Sequence, residues 1–356
     1  MYHTVSIKSD GTLWAWGNNN RSPLGDGTTT QRTIPVQVKI DALTPFIDVV
    51  AVSAGSDYTV AIKKGGTIWA WGYNGVGQLG DGTTTQRNFP VQVKIDSSTP
   101  FVDVIAVSAG GNHTVALKSD GTIWAWGAND SGQLGDGTTT QRNFPVQIKI
   151  DALTPFIDVV AVSAGYSHTV TIKEDGTIWA WGANNFGQFG DGTTTQSQRP
   201  KQINSSSWKA ASAGWMHTVA IKNDGTLWAW GRNNEGQLGN GGADSLIPVQ
   251  IGTDTNWEAV SAGWEHTAAI KNDGTLWAWG DNTYGRLGSS TVTITPTPIR
   301  IGKDRWGEVS AGRYHTAAVK NDDTLYAWGY NNQGQLGDGT TNDRTRPTRV
   351  IHSAGD

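Results

Sequence analysis

Three residue patterns in this chain have the composition of chemical sites. Histidine stands at His3, His113, His168, His217, His266 and His315, one per repeat, with Tyr58 in the matching place of a seventh copy. Imidazoles in a ring are metal ligands when they converge. Aspartates in Asp-Gly-Thr triplets, at Asp26, Asp81, Asp136, Asp191 and Asp338, offer the oxygen donors that calcium takes. Gly75-Val-Gly77-Gln-Leu-Gly80 reproduces by letter the glycine spacing of a dinucleotide-binding turn.

Each pattern also has a plainer reading. The histidines fall on different repeats, too far apart for one ion, so a hydrogen-bonded structural role is expected. Asn240 and Ser289 fill the aspartate place in two copies, which points to turn formation rather than calcium. The glycine run recurs elsewhere as plain Gly-Gln-Leu-Gly and opens no helix. No nucleophile–base pair or metal-ligand spacing rises above the repeat, so neither a catalytic residue nor a metal or cofactor is expected.

The elements that carry these residues are set by the repeat. Trp-Ala-Trp-Gly begins at Trp14, Trp69, Trp124, Trp179, Trp228 and Trp277, and a variant begins at Tyr326. The spacing is 55 residues for three steps and 49 for the last three. Periods of this size with strand-like content mark propellers and solenoids. Residues 41–55 recur letter for letter at 151–165, as in a recent duplication or a consensus-like sequence.

One copy, residues 257–301, reads as four strands. Residues 259–263 are small and β-prone and are placed nearest the axis, where blades crowd. Residues 266–271 form the second strand, and Asn272-Asp273-Gly274 closes a hairpin. Residues 275–280 form the third, with Trp277 and Trp279 on one face because side chains alternate. Residues 298–301 form a short fourth, whose proline suits an outer edge. The fold class is therefore all-β, a seven-bladed β-propeller of four-stranded antiparallel blades in one domain spanning 1–356. The chain ends on the small-residue strand, His352 to Asp356, and starts on its sequel, Tyr2 to Lys8. Joined in one blade, the two termini close the ring and remove open sheet edges.

Composition narrows the function classes. There is no cysteine, so disulfide and thiol chemistry are absent. A well-mixed net charge of −4 gives no basic footprint for nucleic acid. No apolar run reaches the roughly 18 residues of a membrane span. The start at Met1–His3 falls inside a repeat, so no signal peptide is expected. The chain reads as a mature or trimmed fragment, for which a secreted or cell-surface setting is favoured.

The combination of Ser-Ala-Gly-x-x-His-Thr, Asp-Gly-Thr, Trp-Ala-Trp-Gly-x-Asn and Gly-Gln-Leu-Gly-Asp-Gly resembles the regulator of chromosome condensation repeat, over essentially the whole chain. The resemblance implies a seven-bladed propeller. It also implies a choice of functions: nucleotide exchange on a small nuclear GTPase with chromatin binding, plant ultraviolet-B sensing, or protein inhibition of bacterial β-lactamases. The sensor's Gly-Trp-Arg-His-Thr motif is similar to Gly214-Trp215-Met216-His217-Thr218 and Gly263-Trp264-Glu265-His266-Thr267. Met216 and Glu265 replace its arginine, and Arg313-Tyr314 stands where a third Trp belongs. These departures count against an ion-paired, light-gated dimer. The missing basic tail counts against chromatin binding.

Positions free of the repeat carry the function. The two-residue turn after Ser-Ala-Gly and the loop after Trp-Ala-Trp-Gly share one face of the ring, because antiparallel strands send alternate connections to opposite sides. Of 28 free slots there, nine are aromatic: Tyr2, Tyr73, Tyr166, Phe186, Trp215, Trp264, Tyr284, Tyr314 and Tyr330. That is about a third, against 9% aromatic for the chain. Asp57, Asp130, Arg232, Glu235, Glu265, Asp281 and Arg313 lie among them. Aromatics held on a rigid platform with interspersed charge are what a protein-binding hot spot requires. The expected function is a monomeric module that binds a partner protein, in the design of the inhibitor members. An ultraviolet sensor, an exchange or chromatin factor and an unrecognised enzyme are the alternatives.

Overall fold

In the computed structural model, which describes residues 2–351, the chain forms a ring of seven antiparallel sheets and is all-β apart from one short 3-10 turn, Thr283–Gly285. Six sheets have four strands in sequential order. The sheet nearest the N-terminus has three among the described residues: His3–Ile7, Leu13–Gly17 and Arg32–Gln37. The closing strand expected at residues 352–356 lies outside the described residues.

The sixth blade shows how the repeat makes a sheet. Its strands are Trp257–Ala262, His266–Lys271, Leu276–Asp281 and Ile294–Arg300. The hairpin between the second and third closes on Gly274 at φ +78°, where a Cβ would be strained. Asp273 caps that turn, its Oδ1 accepting from both the N–H and the hydroxyl of Thr275. The fourth strand starts earlier than residue 298 because a bulge between Ala278 and Gly280 re-registers the ladder, pairing Gly280 with Thr295. The first strand also starts earlier, since a bulge between Trp257 and Ala259 lets Trp257 pair with Lys271.

Blades adhere through apolar layers between neighbouring sheets. Between the fifth and sixth, Ile221, Leu227, Ala229, Leu238 and Ile251 pack on Trp257, Ala269 and Trp279 of the next blade. The second tryptophan of each motif is fully buried. In five blades its indole N–H also donates to the preceding blade, as Trp230 Nε1 does to Gln188 O at 2.9 Å.

A belt of hydrogen bonds crosses all seven junctions. His113, His168, His217 and His266 each place Nε2 within 2.9–3.2 Å of the hydroxyl of Thr169, Thr218, Thr267 and Thr316 on the next blade. His3 meets Thr59 at 2.9 Å, and His315 meets Thr4 at 3.0 Å across the junction of the last and first blades. At the remaining junction, Thr114 donates to the Tyr58 hydroxyl at 3.2 Å. The ring is thus closed within the described residues. A hydrophobic layer joining Trp16 to Ala327, Leu336 and Val350 seals the same junction.

Burial depresses the imidazole pKa values, to about 3 for His3, His113, His217 and His315 and about 4 for His168. His266 is pushed well below its ordinary range for the same reason. The imidazoles are neutral interblade struts.

Candidate functional site

Two backbone features place the variable loops together. After each Trp-Ala-Trp-Gly the next residue donates its N–H to the carbonyl of the second residue in the Ser-Ala-Gly turn of the same blade. Asp281 N reaches Glu265 O at 2.9 Å, and Tyr330 N reaches Tyr314 O at 2.9 Å. The approach needs a glycine before it: a Cβ on Gly280, at φ +100°, would lie 2.5 Å from Glu265 O. The turns are then tied blade to blade around the axis, Tyr166 N to Gly214 O, Trp215 N to Gly263 O and Trp264 N to Gly312 O.

On this frame seven of the nine aromatic positions form one continuous cluster. Trp215 and Trp264 have ring centroids 4.5 Å apart, and Tyr166 lies 5.4 Å from Trp264. Trp264 stacks on Tyr314 at 6.3 Å with 22° between planes. Tyr314 meets Tyr2, Tyr284 and Tyr330, and Tyr284 meets Tyr330 at 4.7 Å. Phe186 joins through Arg232, whose guanidinium lies 5.6 Å from its ring and 4.9 Å from Trp215. Tyr73 stands apart, stacked 4.9 Å from Arg21.

The cluster surrounds the mouth of the central channel. A shallow recess opens there, lined by Gly111, Gly165, Gly214 and Gly263 together with Tyr166, Trp215, Trp264 and Arg313. Beside it a polar hollow is lined by Tyr2, Tyr284, Tyr314, Tyr330, Glu265 and Arg286.

The charged positions fall into two kinds. Arg313 lies 3.6 Å over the Trp264 ring and against Tyr2 and Tyr314. Asp57, Glu235 and Glu265 are half-buried and Asp130 is exposed. Burial raises the carboxyl pKa of Asp57 and Glu265 above the ordinary range, with nearby guanidinium groups opposing the shift. Burial likewise raises the Tyr2 phenol, against the pull of Arg313.

Asp281, in contrast, is buried and already engaged. Its Oδ2 lies 2.6 Å from Arg286 Nη2, and Glu265 lies 3.8 Å from Nη1. Arg286 itself is 1% exposed. Burial lowers its pKa, opposed by the Asp281 and Glu265 charges. Sequence reasoning had passed over Arg286 because it sits in a scaffold position. The available signal was its departure from the glutamine of Gly-Gln-Leu-Gly, held by Gln78, Gln133, Gln188, Gln237 and Gln335.

The patterns that first suggested chemistry have local partners. Asp26 accepts from Thr28 and Arg32, and the same arrangement recurs at Asp81, Asp136 and Asp338. Burial works against ionisation of these carboxyls, but the hydroxyl and guanidinium hydrogen bonds outweigh it and hold their pKa low. Among the described residues no group of three or more His, Cys, Asp or Glu side chains is gathered to hold a metal. No described helix is long and apolar enough to cross a membrane.

Comparison with known proteins gives a consistent result. The family model described as RCC1-like domain matches residues 1–300, and models of the regulator of chromosome condensation (RCC1) repeat match 308–335 and 322–356. The ultraviolet-B receptor UVR8 of Arabidopsis thaliana is 33% identical over 208 residues, covering 58% of this chain and 44% of the receptor. The E3 ubiquitin-protein ligase HERC2 of Mus musculus is 30% identical over 201 residues, covering 56% of this chain and 4% of the ligase. The matches therefore span less than half the length of these relatives. In fold, yeast RCC1 (Prp20), solved bound to Kap60, superposes with a TM-score of 0.84 at 21% identity, covering 98% of this chain and 85% of that one. Human WBSCR16 gives 0.83 at 20% identity, covering 96% and 94%.

Proposed function

The chain belongs to the RCC1-like domain family, and on that premise we propose that it is a non-catalytic module, one domain acting as a monomer, that binds a partner protein through the aromatic face. The observation that carries this reading is the continuous cluster of seven rings, from Tyr166 through Trp215 and Trp264 to Tyr330, at the channel mouth. Large rings whose backbone is fixed by interblade hydrogen bonds contribute contact area at small entropic cost. The solved complex of yeast RCC1 with Kap60 is support of a general kind, since there a protein of this fold has a protein partner.

Affinity capture with the intact propeller, repeated with a Trp215→Ala/Trp264→Ala variant, tests the reading. Loss of the captured protein with an unchanged melting temperature is expected. Undiminished capture by the folded double variant overturns it.

A second reading, light sensing, rests on the close Trp215–Trp264 pair and the likeness to UVR8. Size-exclusion chromatography before and after ultraviolet-B illumination decides it: an unchanged elution volume removes this reading.

A further inference from the structure

We infer that the aromatic face recognises carboxylates, so that the partner presents an acidic segment to Arg232 and Arg313. The inference rests on the binding reading above and specifies the chemistry of the partner.

Most arginines elsewhere in the ring have acceptors. Arg32, Arg87, Arg142 and Arg344 pair with the Asp-Gly-Thr aspartates, and Arg286 pairs with Asp281. Arg232 and Arg313 differ. Among the described residues neither lies within 4.0 Å of a carboxylate oxygen, and each has a buried Nε without a hydrogen-bond partner. The one side-chain contact of hydrogen-bond type made by Arg232 is from Nη1 to the Met216 sulfur at 3.9 Å, a weak acceptor.

Both guanidinium groups are nonetheless held in place. Arg232 lies against Phe186 and Trp215, Trp215 against Trp264, and Trp264 under Arg313. The result is a stack in which a cation caps each end of the Trp215–Trp264 pair. Stacking fixes the planes and takes water from their faces without satisfying their N–H groups. A guanidinium so prepared offers a planar fork matched to a carboxylate.

The acidic neighbours act on these arginines only at a distance. Asp57 feels the Arg313 charge and Glu265 the Arg232 charge, but neither carboxylate comes within 4.0 Å of that guanidinium, and Glu265 is nearest Arg286.

The test titrates the whole chain with hexaglutamate, hexaglutamine and hexalysine, following tryptophan fluorescence at low and high salt, and repeats it with R232Q, R313Q and R232K/R313K. Hexaglutamate is expected to bind best. Each Arg→Gln change should weaken it about tenfold, the loss of a charged hydrogen bond, and the lysine variant should weaken it less. Equal or stronger binding of hexalysine, or hexaglutamate affinity unchanged in both glutamine variants, overturns the inference. Capture of a protein partner separates this from the parent reading. If the Trp215→Ala/Trp264→Ala variant loses the partner while R232Q/R313Q keeps it, the face binds protein but not through carboxylates.

Discussion

His315 Nε2 lies 3.0 Å from Thr4 Oγ1, a residue 311 positions earlier, and so couples the last blade to the first. Thr4 also donates to Gln335 O at 2.8 Å, which leaves its lone pairs to accept from the imidazole. Thr4→Val should therefore orphan a buried N–H and a buried carbonyl, costing about 1–3 kcal/mol. Thr218→Val, at the junction of the fourth and fifth blades, should cost less, because it orphans the His168 N–H while Gln188 O still accepts from Trp230 Nε1. Urea denaturation of both variants checks this. A Thr4→Val protein as stable as the parent would mean that the belt does not bear the closure.

The same belt predicts the acid side of the stability curve. Nε2 carries the proton given to threonine, and Nδ1 of His113, His168, His217, His266 and His315 is buried without a partner. Protonation would place a charge and an unpaired donor in the core, hence the depressed pKa values. The unfolded chain takes up protons near the ordinary histidine value, and the folded chain does not until about pH 4 or 3. Stability is then full above about pH 6.5 and falls with decreasing pH, by about 1.4 kcal/mol per unit for each imidazole. Melting temperatures at pH 7.5, 6.0, 5.0 and 4.5 should be flat at first and then drop steeply. A flat profile to pH 4.5 contradicts the account.

Much of this was legible in the sequence because the repeat is its own control. Seven copies of Trp-Ala-Trp-Gly pointed to the blade count, and the one-per-copy histidines to a hydrogen-bonded structural role, though not to the threonine of the next blade. The Tyr58 exception still finds Thr114. Strand starts such as Ile294 were not legible, since a bulge has no residue signature of its own. The membership of the aromatic cluster was legible only in part. Tyr73 occupies the same kind of slot as Tyr330, yet it pairs with Arg21 while Tyr330 packs on Tyr284. Contacts between neighbouring blades join residues 30 positions apart at Thr218 and Gln188, 56 at His113 and Thr169 and 311 across the closing junction, so no local pattern encodes which ring turns toward which.

Arg286 offers a test of whether a departure from the repeat is functional or structural. Arg286→Gln restores the residue of five other copies but leaves Asp281 buried beside no cation. Breaking such a pair costs about 3–5 kcal/mol. Adding Asp281→Asn should recover most of the loss, because a glutamine here can accept the N–H two residues back, as Gln237 does from Glu235 at 3.0 Å. Thermal denaturation of the two single variants and the double variant measures the coupling. Additive losses would show that the two residues stabilise the loop independently.

The two classes of tryptophan should respond differently to truncation. Trp230 is fully buried and donates to Gln188 O, so Trp230→Ala opens a large cavity and removes one of the two hydrogen bonds that this carbonyl accepts. A cost of about 3–5 kcal/mol is expected, with loss of the native fluorescence spectrum. Trp215 and Trp264 are half-buried and rest on each other at the channel mouth, with their backbone N–H groups already tied to Gly263 and Gly312. Trp215→Ala and Trp264→Ala keep those backbone bonds and should leave the urea midpoint nearly unchanged, while each weakens partner binding by more than about 1 kcal/mol. Measuring midpoint and affinity on the same three proteins separates scaffold from surface. If Trp215→Ala and Trp264→Ala lower the midpoint as Trp230→Ala does and leave affinity intact, the rings are packing for the loops, and the binding face must be sought elsewhere on the ring.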